Sequence, residues 1–327
     1  MATTTLTLKI VFGAAFFSEG SSQPNVPAVE EMLQALQQSG VSTLDTAHIY
    51  GTSEQLLGET KAASRFTIDT KHPGGFSPGS GTKEKVIAGG EESLKKLQTD
   101  KVNIFYLHAP DRGTPLEETL AGINELYEQG KFKYFGISNF RADEVENVIR
   151  VAKENQLVLP TVYQGNYNPI SRKQETELFP LLRKYGLAFY AYSPLAGGFL
   201  TKTVEQLLKG GEGRWDPNTF LGKLYNDMYN KPALLSALEN WGQIAKEAGI
   251  SKAELAYRWM AYHSGLRSDL GDALVIGASS VDQLKQTLHG LHQGPLSDDI
   301  AGKVGKVWDE VKDESPLDNF NDWFIKQ

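Results

Sequence analysis

A single parallel (β/α)8 barrel of the TIM type is the fold this sequence predicts, as one domain over residues 1–327, and three observations predict it. Eight short apolar segments of strand character recur along the chain, separated by stripes of apolar residues at helical spacing. No composition break, low-complexity tract or tandem sequence repeat divides them, and α/β barrels run to about 250 residues or more as one unit. An open doubly wound sheet would carry a Gly-rich fingerprint after its first strand, which Gly13-Ala14-Ala15 is not.

Leu8 to Gly13 forms the first strand, and Val29, Met32, Leu33 and Leu36 follow as a helical stripe that Gly40 ends. The second strand lies in the stretch from Thr43, where Leu44 alternates with polar neighbours before Asp45, Tyr50 and Gly51 mark a loop. Ser53-Glu54 then reads as a helix start, with Ser53 as its cap. Phe66 to Lys71 is the third strand, Lys83 to Leu97 a helix, and Val102 to His108 the fourth strand. Leu116, Leu120, Ile123 and Tyr127 share a helical face before the fifth strand, Tyr134 to Ser138. Val145, Val148, Ile149 and Ala152 form the next stripe, and the sixth strand begins at Thr161 to Gln164. Leu178, Leu181 and Leu182 lie on a helix before the seventh strand, Leu187 to Tyr192. The eighth is Ala273 to Gly277, and Leu284, Leu288 and Leu291 close the series. The irregular segment from about Thr201 to Pro232, rich in Gly, reads as a long lid loop after strand seven.

Composition bounds what such a barrel does. A net charge of −7 argues against a nucleic-acid partner, since a phosphate backbone calls for a basic face. The absence of cysteine removes disulfides, thiolate catalysis and Cys-based zinc sites. With no leader-like N-terminus and no run of about 18 apolar residues, the expectation is a soluble cytoplasmic protein without a membrane role.

The chemistry-bearing residues fall at the carboxyl ends of the strands, the face on which barrels carry their sites. Asp45 and Tyr50 follow strand two, Lys71 ends strand three, His108 ends strand four, Ser138 and Asn139 strand five, Gln164 strand six and Tyr192 strand seven. Singly, each has a plain structural explanation, as cap, packed ring or solvated charge. Together they form an acid–base set. A phenol titrates near ~10, and a neighbouring ammonium lowers that value, so Lys71, fixed by Asp45, would poise Tyr50 as a proton donor. His108 would orient a carbonyl and stabilise charge on its oxygen. Carbonyl reduction also needs a hydride, which no side chain supplies, so a nicotinamide cofactor is expected nearby. A metal-dependent hydrolase using Asp45, His48 and His108 is disfavoured, because no His-x-His pair follows the first strand.

Asp45-Thr46-Ala47-His48-Ile49-Tyr50-Gly51, Lys71, His108, Gly136-Ile137-Ser138-Asn139-Phe140, Tyr192-Ser193-Pro194-Leu195-Ala196-Gly197-Gly198 and Ile276-Gly277-Ala278-Ser279-Ser280 resemble, in order, the motifs of the aldo-keto reductases. Tyr106 to Asp111, Arg258-Trp259-Met260 and Gly277 to Leu284 are most similar to the aflatoxin-aldehyde-reductase branch. That resemblance implies Tyr50 as general acid with Asp45, Lys71 and His108 supporting it. It implies NADPH or NADP+ as cofactor, with Ser138, Asn139 and Gln164 on the carboxamide, Tyr192 stacked on the nicotinamide, and Ser193, Leu195 and Gly197 around the pyrophosphate. Gly277, Ser279, Ser280, Gln283 and Gln286 would serve the adenosine, and Lys202 and Arg214 a 2′-phosphate. Gly277 to Ser280 also reads independently as a strand-to-helix anion site.

Gln286-Thr287 stands where the family usually has Glu-Asn, and Met228 where the branch has an arginine for carboxylate-bearing aldehydes, so a neutral or apolar carbonyl is the expected substrate. The loops after strands one, four and seven and a C-terminal tail over the active-site face, with Trp215, Tyr229, Phe320 and Trp323, would shape its pocket. The resemblance allows a homodimer. It extends to the potassium-channel β subunits, which makes a nucleotide-binding regulatory protein with little turnover the alternative function.

Overall fold

The computed structural model describes residues 6–18, 21–210 and 215–326. Its elements run β1 (Lys9–Gly13), α1 (Val26–Gln38), β2 (Thr43–Asp45), α2 (Ser53–Glu59), β3 (Thr67–His72), α3 (Lys83–Leu97), β4 (Val102–Leu107), α4 (Leu116–Glu128), β5 (Phe132–Ser138), α5 (Ala142–Glu154), β6 (Pro160–Asn166), α6 (Gln174–Glu177), α7 (Phe179–Tyr185), β7 (Ala188–Tyr192), α8 (Val204–Lys209), α9 (Phe220–Tyr229), α10 (Pro232–Glu247), α11 (Lys252–Tyr262), β8 (Ala273–Ile276), α12 (Val281–Leu291) and α13 (Asp298–Val311). The eight strands close in sequence order into a parallel barrel, each strand pairing with the next and β1 with β8. This is the (β/α)8 TIM barrel that the alternating pattern predicts.

Two apolar layers hold it. Inside the barrel, Val11, Ile104, Tyr106, Val162, Tyr190, Ala273 and Val275 form a small core. Between sheet and helices lies the larger one, to which α1 contributes Val29, Met32, Leu33 and Leu36. Burying each such aliphatic chain stabilises the fold by roughly 1.5–3 kcal/mol. Asn25 caps α1 by accepting the Ala28 N–H, and Gly40, at φ +76°, turns the chain out of it. Gly90 lets α3 approach α4, since a Cβ there would stand 2.5 Å from Leu126 Cδ1.

Several local expectations need correction. Ser53 does not cap α2; its buried hydroxyl donates to the Ala14 carbonyl at 2.8 Å and lies 2.8 Å from Thr46 Oγ1. A buried carbonyl needs a donor, and that demand outweighs a cap at a wet helix end. Tyr127 is 43% exposed and lies tilted against Phe132, with ring centroids 5.6 Å apart, instead of entering the core. The connection after β7 is long, but it is not a plain loop: Thr203 caps α8 by accepting the Gln206 N–H and Thr219 caps α9 by accepting the Gly222 N–H. Helices α10, α11 and α13 complete the wall in stretches for which the sequence reading named no element. Among the described residues no helix is long and apolar enough to cross a membrane.

Candidate active site

Parallel strands in register carry the polar residues to one end of the barrel. Asp45 pairs with Asp69 across β2 and β3, Lys71 with Tyr106 across β3 and β4, and Ser138 with Gln164 across β5 and β6. Side chains two residues apart on a strand share a face, so Lys71 points into the mouth above Asp69.

The Lys71 ammonium is fully buried. It donates to Asp45 Oδ2 at 2.5 Å and to the Thr46 carbonyl at 2.8 Å, and Gln164 Nε2 donates to Asp45 Oδ1 at 2.9 Å. Its Nζ lies 5.2 Å from the centre of the Tyr50 ring, and that ring meets His108 edge-on, with centroids 5.6 Å apart. The four residues Asp45, Tyr50, Lys71 and His108 therefore do converge. Burial, and then the Lys71 charge, hold the His108 imidazole well below its ordinary pKa, so it is a neutral ring near pH 7. Its Nδ1 is buried and without a hydrogen-bond partner among the described residues. His48 is not part of this group: its ring lies 3.4 Å from Ser93 Oγ and 3.9 Å from Glu54 and Glu92.

The residues at the ends of β5 to β7 form a second linked group. Asn139, at φ +62°, donates to the His108 carbonyl at 2.9 Å and to Ser138 Oγ at 3.1 Å, and it accepts from the Tyr192 hydroxyl at 2.8 Å. Burial keeps the Tyr192 phenol protonated, well above its ordinary range. After β7 the backbone turns left-handed at Ser193, Ala196, Gly197 and Gly198. At Gly197 only glycine fits, since a Cβ would lie 2.2 Å from the Tyr225 ring, while Trp215 Nε1 donates to its carbonyl at 3.1 Å. The Leu195 carbonyl accepts from Gly198 in this turn, and Lys202 closes it, its own carbonyl taking the Lys252 ammonium. Arg214 lies outside the described residues.

Beyond β8, Gly277 leads into α12, where Ser280 accepts the Gln283 N–H. Gln283 in turn folds back to take the N–H and hydroxyl of Ser279 through its Oε1. Gln286 is exposed on the same helix.

Sequence reasoning missed Phe76, Phe324, Gln23 and Asp69. Phe76, in the loop after β3, packs against His108 at 4.9 Å between centroids and against the tail rings Phe320 and Phe324 at 5.1 Å each. Gln23 ties the first loop to the Ser279 carbonyl at 2.7 Å. Asp69 is fully buried beside Asp45. Of these only Asp69 left a legible signal, an acid in the middle of an apolar strand. The tail does cross the mouth, as Asn321 donates to the Asn139 carbonyl and Trp323 to Asp227 of α9.

The aldo/keto reductase family model matches residues 9–309. The oxidoreductase sirO of Leptosphaeria maculans is 43% identical over 316 residues, covering 94% of this chain and 95% of that protein. Human aflatoxin B1 aldehyde reductase member 2 is 39% identical over 308 residues, 89% of this chain and 85% of its own. Human aldo-keto reductase family 7 member A3 is also 39% identical, over 307 residues and 89% and 92% of the two chains. With a match running from β1 into α13 and relatives covered along most of their length, the chain belongs to the aldo/keto reductase family of oxidoreductases.

Proposed function

We propose that this protein reduces neutral, apolar aldehydes or ketones with NADPH, Tyr50 delivering the proton. The observation that carries the reading is the buried Lys71 ammonium, anchored by Asp45 and 5.2 Å from the Tyr50 ring, with neutral His108 edge-on to that ring at 5.6 Å between centroids.

A reduced nicotinamide, when bound, supplies the hydride that no side chain has. The residues present suit it: amide and hydroxyl groups of Ser138, Asn139 and Gln164 stand beside the acid–base set, Tyr192 offers a half-buried ring, Ser193, Leu195 and Gly197 lie in a left-handed turn after β7, and Ser279, Ser280 and Gln283 stand at the α12 start. Lys202 is the cation available to a 2′-phosphate among the described residues named for that role. The chain's own part is proton chemistry. The carbonyl oxygen takes the Tyr50 proton as charge builds on it, the tyrosinate left behind is stabilised by Lys71, and solvent then restores the phenol. Neutral His108 orients the carbonyl without adding a charge that would compete with Lys71.

The substrate class follows from the wall opposite. Phe76 lies against His108 and, with Phe320 and Phe324 packed on it, makes an aromatic face, and Met228 is buried in α9 where a carboxylate-binding arginine would otherwise stand. Such a face favours flat apolar carbonyls over acidic semialdehydes.

The test is NADPH oxidation with aromatic aldehydes and dicarbonyls by wild type and Tyr50→Phe. The variant should lose roughly 10²–10⁴-fold in rate. Equal rates would remove Tyr50 from the acid role, and tight NADPH binding with no turnover on the whole panel would favour a nucleotide-sensing protein.

A further inference from the structure

Beneath Lys71 and beside Asp45 the barrel holds a second carboxyl that the proposed chemistry does not use. Asp69 lies two residues before Lys71 on β3 and directly across from Asp45 in the β2–β3 register, so both acids face the barrel interior side by side. It is fully buried. Its Oδ1 accepts from Asn103 Nδ2 at 2.8 Å and from the Ile104 N–H at 3.1 Å, whereas Oδ2 is buried without a partner among the described residues.

The charge count at this level is two carboxyls for one ammonium. Lys71 spends its bonds on Asp45 and the Thr46 carbonyl, and Gln164 supports Asp45 as well. The other groups facing Asp69 offer little: Lys9, from β1, bonds the Tyr190 hydroxyl of β7 at 3.2 Å at the far end, and Tyr106 of β4 and Tyr190 are phenols that burial keeps protonated. Two neighbouring carboxylates in a dry interior do not both ionise, and the one without a cation keeps its proton. Asp45 has the cation; Asp69 has the orphan oxygen.

We propose that Asp69 is a positioning residue of this site: a carboxylic acid that retains its proton beside Asp45, leaving the single ammonium of Lys71 committed to Asp45 and to proton transfer at Tyr50. Burial, reinforced by Asp45, pushes the Asp69 carboxyl up to about 7 against the pull of Asn103 and Lys9, so it ionises as the medium turns alkaline. The added negative charge then opposes tyrosinate formation and keeps Tyr50 protonated to higher pH. The kinetic part of this inference rests on the reductase reading, and the protonation of Asp69 does not.

Two measurements on the full-length protein separate the claims. In infrared difference spectra, wild type should show the carbonyl stretch of a protonated carboxylic acid that bleaches as pH rises through neutrality, and Asp69→Asn should lack that component. Asp318, pushed up to about 6 by burial in the tail, titrates in the same window, so Asp318→Asn serves as background and should retain the Asp69 band. Absence of the band in that background, or its persistence when Asp69→Asn is added to it, would overturn the proposal whatever the enzyme's activity. In the pH profile of NADPH-dependent carbonyl reduction, Asp69→Asn, which keeps an oxygen for both donors, should move the alkaline limb to lower pH by about one unit. An unmoved limb in an active variant, or a shift upward, would refute the coupling to Tyr50. Wild type that shows the band but reduces no carbonyl would instead sink the reductase reading alone.

Discussion

Lys71 Nζ stands 2.5 Å from Asp45 Oδ2 and 5.2 Å from the centre of the Tyr50 ring, so one buried ammonium serves a structural partner and a chemical one. Replacing it separates the two services. Lys71→Met leaves Asp45 buried without its cation, which should destabilise the fold by about 3–5 kcal/mol in urea unfolding. Carbonyl reduction should fall at least about 10²-fold, since the phenol loses the charge that eases its ionisation. Lys71→Arg should not restore the rate, because a planar guanidinium does not replace a point charge in a cavity of this shape. Wild-type turnover by either variant would contradict the proposed coupling.

Acid should weaken the fold through its buried histidines. Burial pushes His72 down from an ordinary 6.5 to about 4, and His108 is depressed too. Unfolded, each takes up a proton near 6.5; folded, each resists until lower pH. The stability tied to them is therefore complete above 6.5 and is lost as pH falls through the window down to about 4, by up to about 3 kcal/mol for His72. Denaturant midpoints at pH 7 and pH 5 should drop more for wild type than for His72→Gln.

The turn after β7 should tolerate no side chain at one position. Gly197→Ala combines φ +66° with a Cβ 2.2 Å from the Tyr225 ring, whereas at Gly198 the nearest atom is Trp215 Nε1 at 3.8 Å. The left-handed backbone alone costs about 1–2 kcal/mol. Gly197→Ala should lower the melting temperature and weaken NADPH binding, read by fluorescence titration, more than Gly198→Ala does. Equal effects would assign the turn a purely conformational role.

The aromatic face should discriminate among substrates. Phe76→Ala removes the ring packed on His108 and Phe320→Ala a ring packed on Phe76, and each should raise KM for aromatic aldehydes by roughly tenfold, about the 1–3 kcal/mol expected of a lost apolar contact. Small aliphatic aldehydes, which reach less of that face, should be affected less. A uniform loss across both classes would make the rings structural only.

The sequence alone determined the architecture and the cast of polar residues. Strand and helix periods are local properties, so alternation at β3 or the stripe at Val29, Met32, Leu33 and Leu36 is visible without coordinates. Asp45, Tyr50, Lys71 and His108 were legible because barrel topology sends every strand end to one face. Only the tertiary structure decided what these residues touch. Ser53 was drawn from its cap by the Ala14 carbonyl, Phe76 met rings from a tail some 240 residues on, and Asp69 came to lie beside Asp45 with no cation of its own. Such pairings depend on strand register and chain closure, which set distances between segments far apart in sequence, and on burial, which turns an ordinary carboxyl into one that holds its proton.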